Sequence, residues 1–376
     1  MQRRTGRISL IVLASAAVAA AIVLAAKVGA HLYYDPALWA LAGWVIPPDL
    51  GIFLNAGDAV LHGRTPYRDV DAIGNHLGYV YPPLLAFVMI PLSILPAALA
   101  SSIWALMTFA FVAWSLWLLG VRDWRCYPVA LLWPFTREAV EFGAIGPLLL
   151  LIVAFLWRYR DSTWGAATAT ASAVAAKLFL WPLALWLAFT GRIRTAGLSI
   201  AVTFVLVFVP WIAIGLAGLR QYPALLQEVA DQQDYRSYSV IALVRSLGGS
   251  SELAKVLSLL LGVALLALAF RAARNHATSL RDRDRISLGY VLAASLVLTP
   301  VVWPHYLVLL LAPLALARPR LSVLWLFVLA ATVLYAFDWY RASPEGEARP
   351  VVVITVLVAI VFVGSLRPNG PKSVAK

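Results

Sequence analysis

The feature that most constrains this chain is a series of long apolar runs that recurs along its 376 residues. The first run, Ile8 to Ala26, carries no charge and is long enough to cross a bilayer as one helix. Because the apolar residues are continuous and do not alternate with polar ones, they exclude a membrane β-barrel. The sequence therefore predicts an all-α polytopic membrane protein, in agreement with a mean hydropathy of +0.84.

The basic residues predict the orientation of the chain. The net charge is +12, yet Lys and Arg lie in short clusters between the apolar runs, as in loops that stay cytoplasmic. Placing these clusters inside gives about twelve transmembrane helices in a single domain, 1–376, of the cytoplasmic membrane, with both termini cytoplasmic. The polar segments 31–95 and 218–252 then become outer loops. No basic stripe remains for nucleic acid, so membrane lipids are the expected surroundings.

Two apolar segments, 164–190 and 127–140, differ from a simple single span in their flanking charges or their length. The segment 164–190 has arginines on both flanks, so a single span would place one cluster outside; two short helices that meet near Lys177 keep both clusters inside. The segment from about Tyr127 to Val140 is predicted to be one helix that runs outward. It would place Arg137 at the outer face.

The first outer loop, 31–95, holds the most polar stretch of the chain, with carboxylates, imidazoles and aromatic rings. Asp49 follows two prolines and can act either as a general base or as the N-cap of a helix; the sequence leaves both open. Asp58 can contact substrate or simply be solvated. The members of this stretch are Asp49, Asp58, Asp69, Asp71, His62, His76, Tyr79 and Tyr81.

Cations within apolar sequence point to an anionic ligand. Lys177 is flanked by Ala176 and Leu178 and can either snorkel to the interface or line a pocket that holds a phosphate. His305 lies between two apolar helices, where an ionisable group is costly and tends to be functional, although an interfacial histidine can also simply be solvated. Arg137 and Arg245 are weaker candidates of the same kind.

The sequence lacks the residues that several common kinds of active site require. The single cysteine, Cys126, excludes a multi-cysteine metal site, and no His cluster suits zinc. No cofactor is evident from the sequence, which leaves the use of a divalent metal open. The sequence has neither a P-loop nor a Gly-x-Ser-x-Gly elbow. The inner loops are too short for a nucleotide-sugar domain, so an activated donor would have to come from the lipid phase.

The order of these motifs resembles that of glycosyltransferase family 87, the polyprenyl-phosphate-mannose-dependent α-mannosyltransferase-like proteins of GT-C fold. The resemblance covers nearly the whole chain. Its motifs are an aspartate after the first helix, then Gly63-x-x-Pro66-Tyr67, Tyr81-Pro82-Pro83-Leu84, Lys177 with Pro182, Ser239 with Arg245, and Pro300-x-x-Trp303-x-His305.

The resemblance implies an inverting glycosyltransferase with an extracytoplasmic active site under the first outer loop. The donor would be a polyprenyl-phosphate sugar, mannose by family default, and the acceptor a glycolipid or lipid-linked glycan. Asp49 matches the loop aspartate that acts as base. Lys177 and His305 match positions expected to contact the donor phosphate or the acceptor, and Tyr81, Asp58, Arg137 and Arg245 complete the predicted binding residues.

The chain also departs from the family pattern. Where the family has a Gly-Gln-x-Asn motif, this chain reads Gly143-Ala144-Ile145-Gly146, and an Asn before the later serine is replaced by Tyr238. Two other functions remain open at this point. A transporter or flippase would use Lys177 and Arg137 as a relay and predicts inverted repeats, which the sequence does not show. A non-catalytic protein of envelope assembly would tolerate loss of Asp49.

Overall fold

The computed structural model describes residues 46–67, 78–232, 237–325 and the single residue 363. The predicted first membrane helix and most of the predicted eleventh and twelfth lie outside the described residues, as do Asp69, Asp71 and His76. Within the described ranges the regular structure is helical and contains no strand. This confirms the all-α class, while the number of spans stays a prediction.

The described helices are short for the most part, and two of them are 3₁₀-helices. The 3₁₀-helices are Leu178–Leu180 and Pro304–Leu310. The α-helices, in chain order, are α1 Pro48–Leu61, α2 Leu84–Ser93, α3 Ala97–Leu118, α4 Cys126–Leu131, α5 Pro134–Phe142, α6 Gly146–Arg158, α7 Thr163–Ala176, α8 Pro182–Phe189, α9 Ile193–Ala213, α10 Tyr222–Gln232, α11 Val240–Ser246, α12 Ser251–Ala273, α13 Leu280–Leu298 and α14 Leu311–Ala317.

Three of these helices, α3, α9 and α12, are long and apolar enough to cross a membrane. They coincide with three predicted spans and make the chain a membrane protein. Their outward surfaces carry many exposed large apolar side chains, among them Phe204, Leu259 and Leu260, as lipid-facing helices do.

The chain breaks at Lys177, as the arginine flanks predict. Helix α7 ends at Ala176, and Lys177 has an extended backbone (φ −155°, ψ 113°) before the 3₁₀-helix begins. The prediction of one helix from about Tyr127 to Val140 is wrong. Two helices, α4 and α5, replace it, because Pro134 lacks an N–H and begins a new helix instead of continuing the old one.

A buried ion network lies at one end of the bundle. Asp284, near the start of α13, accepts hydrogen bonds from Arg160 (3.0 Å) and Arg192 (2.9 Å). The indole N–H of Trp186 donates to the backbone oxygen of Asp284 (3.1 Å). Helix α9 starts beside this network and carries Trp211 near its other end, about 27 Å away at 1.5 Å per residue. The two ends of the bundle are therefore about one bilayer core apart.

Candidate active site

Asp49 lies in the first turn of α1 and points at His305. Its Oδ2 is 3.7 Å from Nε2 of His305, and the two side chains are 22% and 3% exposed. The N-cap of α1 is Pro47, and no side chain caps this helix. The capping interpretation of Asp49 is therefore wrong, and its carboxylate is left available for chemistry.

His305 is the second residue of the second 3₁₀-helix, and its side chain is buried. Within the described ranges, neither of its ring nitrogens has a hydrogen-bond partner, since 3.7 Å to Asp49 is too long for one. The ring packs edge-on against Tyr306, with 4.8 Å between centroids. A buried imidazole with unused donor and acceptor capacity is suited to bind a polar group of a substrate.

Lys177 places its ammonium between two tyrosine rings. Its Nζ is 3.6 Å from the ring centroid of Tyr81 and 5.2 Å from that of Tyr306, which is within the range of cation–π attraction. The described residues offer this ammonium no carboxylate within ion-pair distance. Tyr81 and Tyr306 thus form two aromatic walls around the ammonium. The ring of Phe179 stacks on that of Tyr306, with 5.2 Å between centroids, and holds this second wall in place. The aromatic walls hold the cation without neutralising it.

Asp49 and Lys177 are desolvated together, outside the three candidate spans. Burial raises the pKa of Asp49 to about 6, against the opposing attraction of Lys177. Burial likewise lowers the pKa of Lys177 to about 7, against the opposing attraction of Asp49. A carboxyl group that exchanges its proton near neutral pH is matched to general base catalysis. Perturbed pairs of this kind cluster at functional sites.

Two glycines allow the site to assemble. A Cβ at Gly146 would overlap the backbone oxygen of His305, and a Cβ at Gly143, whose φ is +68°, would lie 2.5 Å from Cβ of Leu50. The turn between α5 and α6 thus packs directly against the elements that carry His305 and Asp49. Gly146, one of the departures from the family motif, is a close-packing position in this chain.

Four of the predicted site residues come together, and three do not. Asp49, His305, Lys177 and Tyr81 form the site, whereas Asp58 pairs with Arg64 and His62 on the exposed side of α1. Arg137 pairs with Glu141 on the surface of α5. Arg245 donates to the backbone oxygen of Gly249. Each of the three has a local partner that explains it.

Sequence reasoning missed Tyr306, which forms the second wall around Lys177. Its signal was weak, because an aromatic residue beside Pro304 and His305 is also typical of a membrane interface. Among the described residues, no group of three or more His, Cys, Asp or Glu side chains could hold a metal ion.

Comparison with known proteins decides the family. The model of glycosyltransferase family 87 matches residues 79–304, which is more than half of the chain. The protein belongs to glycosyltransferase family 87. The match includes Tyr81 and Lys177; it begins after Asp49 and ends one residue before His305, so the roles of these two residues rest on geometry.

Two curated relatives in this family carry the same name, polyprenol-phosphate-mannose-dependent alpha-(1-2)-phosphatidylinositol pentamannoside mannosyltransferase. The protein from Mycolicibacterium smegmatis is 27% identical over 344 residues, which cover 78% of this chain and 80% of the relative. The protein from Mycobacterium tuberculosis is 28% identical over 368 residues, which cover 88% and 82%. No solved structure matches the chain. The chain is thus a membrane-embedded glycosyltransferase of family 87.

Proposed function

We propose that this protein transfers mannose from a polyprenyl-phosphate donor to a hydroxyl group of a glycolipid or lipid-linked glycan, at the outer face of the cytoplasmic membrane. The observation that carries the proposal is a water-poor site in which a carboxylate, an imidazole and an ammonium face one another: Asp49, His305 and Lys177. The names of the two mycobacterial relatives supply the donor and the class of acceptor.

In this mechanism Asp49 is the general base. Its carboxylate accepts the proton of the acceptor hydroxyl while that oxygen forms a bond to the anomeric carbon of the donor. The bond from the anomeric carbon to the phosphate oxygen breaks, and its electron pair leaves with the phosphate. Within the part of the chain that the structure describes, the site holds one carboxylate and not a pair at bridging distance, which favours a single displacement and inversion of the anomeric centre.

Lys177 would stabilise the leaving phosphate. Its ammonium interacts electrostatically with Asp49, and it lies in a low-dielectric setting where a charge–charge interaction is strong. His305 can donate a hydrogen bond to a phosphate oxygen or to the acceptor from the same side as Asp49. The outer location is supported by the ion network of Asp284, since arginines collect at the opposite, inner end of the bundle.

The decisive experiment compares two carboxylates on the same helix. Asp49→Asn keeps the shape of the side chain but removes the base, so transfer from radiolabelled polyprenyl-phosphate-mannose into membrane glycolipid should fall by at least about 100-fold. Asp58→Asn is the matched control. It lies nine residues along α1, about 13 Å further on, and is exposed, so it should retain transfer close to the parent level.

Equal transfer by both variants and the parent would contradict the assignment of the base. No transfer by the parent with mannose, but transfer with another polyprenyl-phosphate sugar, would correct the donor and keep the mechanism. Extracted phosphatidylinositol mannosides with different numbers of mannose residues, offered as acceptors to the purified enzyme, would test the acceptor class that the relatives' names supply.

A further inference from the structure

Three consecutive backbone oxygens beside the site accept hydrogen bonds from tyrosine hydroxyls. Tyr222 donates to the oxygen of Val80 (3.2 Å), Tyr67 to that of Tyr81 (2.7 Å), and Tyr79 to that of Pro82 (2.8 Å). This segment lies outside any helix or strand. Its buried carbonyl groups therefore need partners from side chains, and the three tyrosines supply them.

Tyr79 directly precedes this segment, Tyr67 and Tyr222 come from outside it, and the three tyrosines pack as one aromatic cluster with Trp211. Tyr67 stacks on Trp211 of α9, with 4.6 Å between centroids and 10° between planes. It also meets Tyr79 and Tyr222 edge-on, each at 5.6 Å. Trp211 is 1% exposed. The cluster thus joins the two predicted outer loops to the end of a candidate span.

The held segment forms the first wall of the lysine site. The ring of Tyr81 lies 3.6 Å from the ammonium of Lys177, and Phe53 packs edge-on against the same ring at 5.0 Å. The backbone position of Tyr81 therefore determines where that wall stands. Because Tyr67 and Tyr222 touch the segment through hydroxyl groups and not through the ring of Tyr81, they can act on Lys177 only by positioning.

We propose that Tyr67 and Tyr222 are positioning residues for phosphate binding. Their hydroxyl groups hold the Val80–Tyr81 backbone so that the Tyr81 ring keeps the Lys177 ammonium turned toward the donor phosphate. The predicted outer loop 218–252, which contains Tyr222 at the start of α10, thereby contributes to the affinity for the donor. This inference rests on the proposed role of Lys177 as the phosphate ligand, and it does not depend on which sugar is transferred.

The test removes single hydroxyl groups and measures binding to the purified protein. The variants are Tyr67→Phe and Tyr222→Phe, which keep the aromatic packing. The matched control is Tyr127→Phe, since the Tyr127 hydroxyl donates to the backbone oxygen of Val121 (3.0 Å) away from the site. The probes are a polyprenyl monophosphate and the corresponding uncharged polyprenol, neither of which carries a sugar.

We expect each of the two site variants to bind polyprenyl monophosphate about three- to ten-fold more weakly, the loss typical of one hydrogen bond, and to bind the polyprenol like the parent. Tyr127→Phe should leave both affinities unchanged. Unchanged binding of the phosphate probe by both site variants would overturn the proposal, and so would an equal loss for both probes, which indicates a general disturbance of the lipid site. Because the probes carry no sugar, these outcomes are independent of a failure of mannose transfer.

Discussion

At the scale of single residues, the proposed chemistry depends on Asp49 and Lys177 sharing a site with little water. In a solvated loop the carboxyl group would release its proton far below neutral pH and the ammonium would keep its proton far above it. Burial moves the two pKa values toward each other, to about 6 and about 7. The productive form, with the carboxylate charged and the lysine protonated, is then restricted to a narrow range of pH.

We therefore expect a bell-shaped pH profile of kcat/KM for the donor. Below about pH 6 Asp49 gains a proton and loses its function as base, and above about pH 7 Lys177 loses its proton and its attraction for phosphate. The two limbs belong to the interacting pair and not to either residue alone. Initial rates between pH 5 and pH 9 in one ionic-strength-matched buffer series would show the profile.

The control for this profile is Lys177→Arg, because a guanidinium stays charged throughout the range. Its alkaline limb should disappear or move up by more than about one pH unit, while the acid limb stays. A parent profile that is flat from pH 5 to pH 9 would contradict the assignment of both groups. An alkaline limb that is unchanged in Lys177→Arg would contradict the role of Lys177.

At the scale of elements, the sequence predicted the break at Lys177 because charge determines on which side of a membrane a segment can end. It did not predict that α1 and the second 3₁₀-helix meet, since Asp49 and His305 are far apart in the chain and only packing brings them together. Periodicity and composition report local structure and burial, whereas such a contact depends on the close approach of other elements. Gly143 and Gly146 permit that approach. In the sequence alone, a glycine does not reveal which distant element packs against it.

Gly146→Ala tests whether the close packing of α6 against the second 3₁₀-helix is needed for the site. The added Cβ would overlap the backbone oxygen of His305, so the 3₁₀-helix must shift, at a cost of about 1–3 kcal/mol. We expect transfer to fall by about ten-fold or more, because His305 and Asp49 lose their alignment. The measurement is kcat/KM together with thermal unfolding in detergent.

The matched control is Gly197→Ala on α9, where an added Cβ meets nothing within 4 Å. It should keep full activity and gain slightly in stability, since alanine is the better helix former. If Gly146→Ala were as active as the parent, the close contact between α6 and the 3₁₀-helix would not be needed for the site.

At the scale of the whole molecule, the proposed site and the buried ion network predict that catalysis and stability depend on different ends of the bundle. At the end away from the site, Asp284 binds Arg160 and Arg192, whose side chains are 20% and 19% exposed. Removing this one carboxylate leaves two largely buried guanidinium groups with Asp161, an exposed carboxylate, as their remaining acidic partner among the described residues, which is costly. Helix α9 extends about 27 Å from this network to Trp211 of the aromatic cluster, and the candidate active site contains none of the network's groups.

Asp284→Asn should therefore destabilise the protein by about 2–4 kcal/mol and leave the donor KM of the folded enzyme unchanged. Asp161→Asn makes the matched comparison, because Asp161 pairs with the same Arg192 (2.7 Å) but is 73% exposed, so its loss should cost less than about 1 kcal/mol. Thermal unfolding and donor KM, measured on both variants, distinguish an effect on stability from an effect on donor binding. Equal stability of the two variants would show that burial of the network contributes nothing, and a raised donor KM in Asp284→Asn would show that the ends are coupled through the bundle.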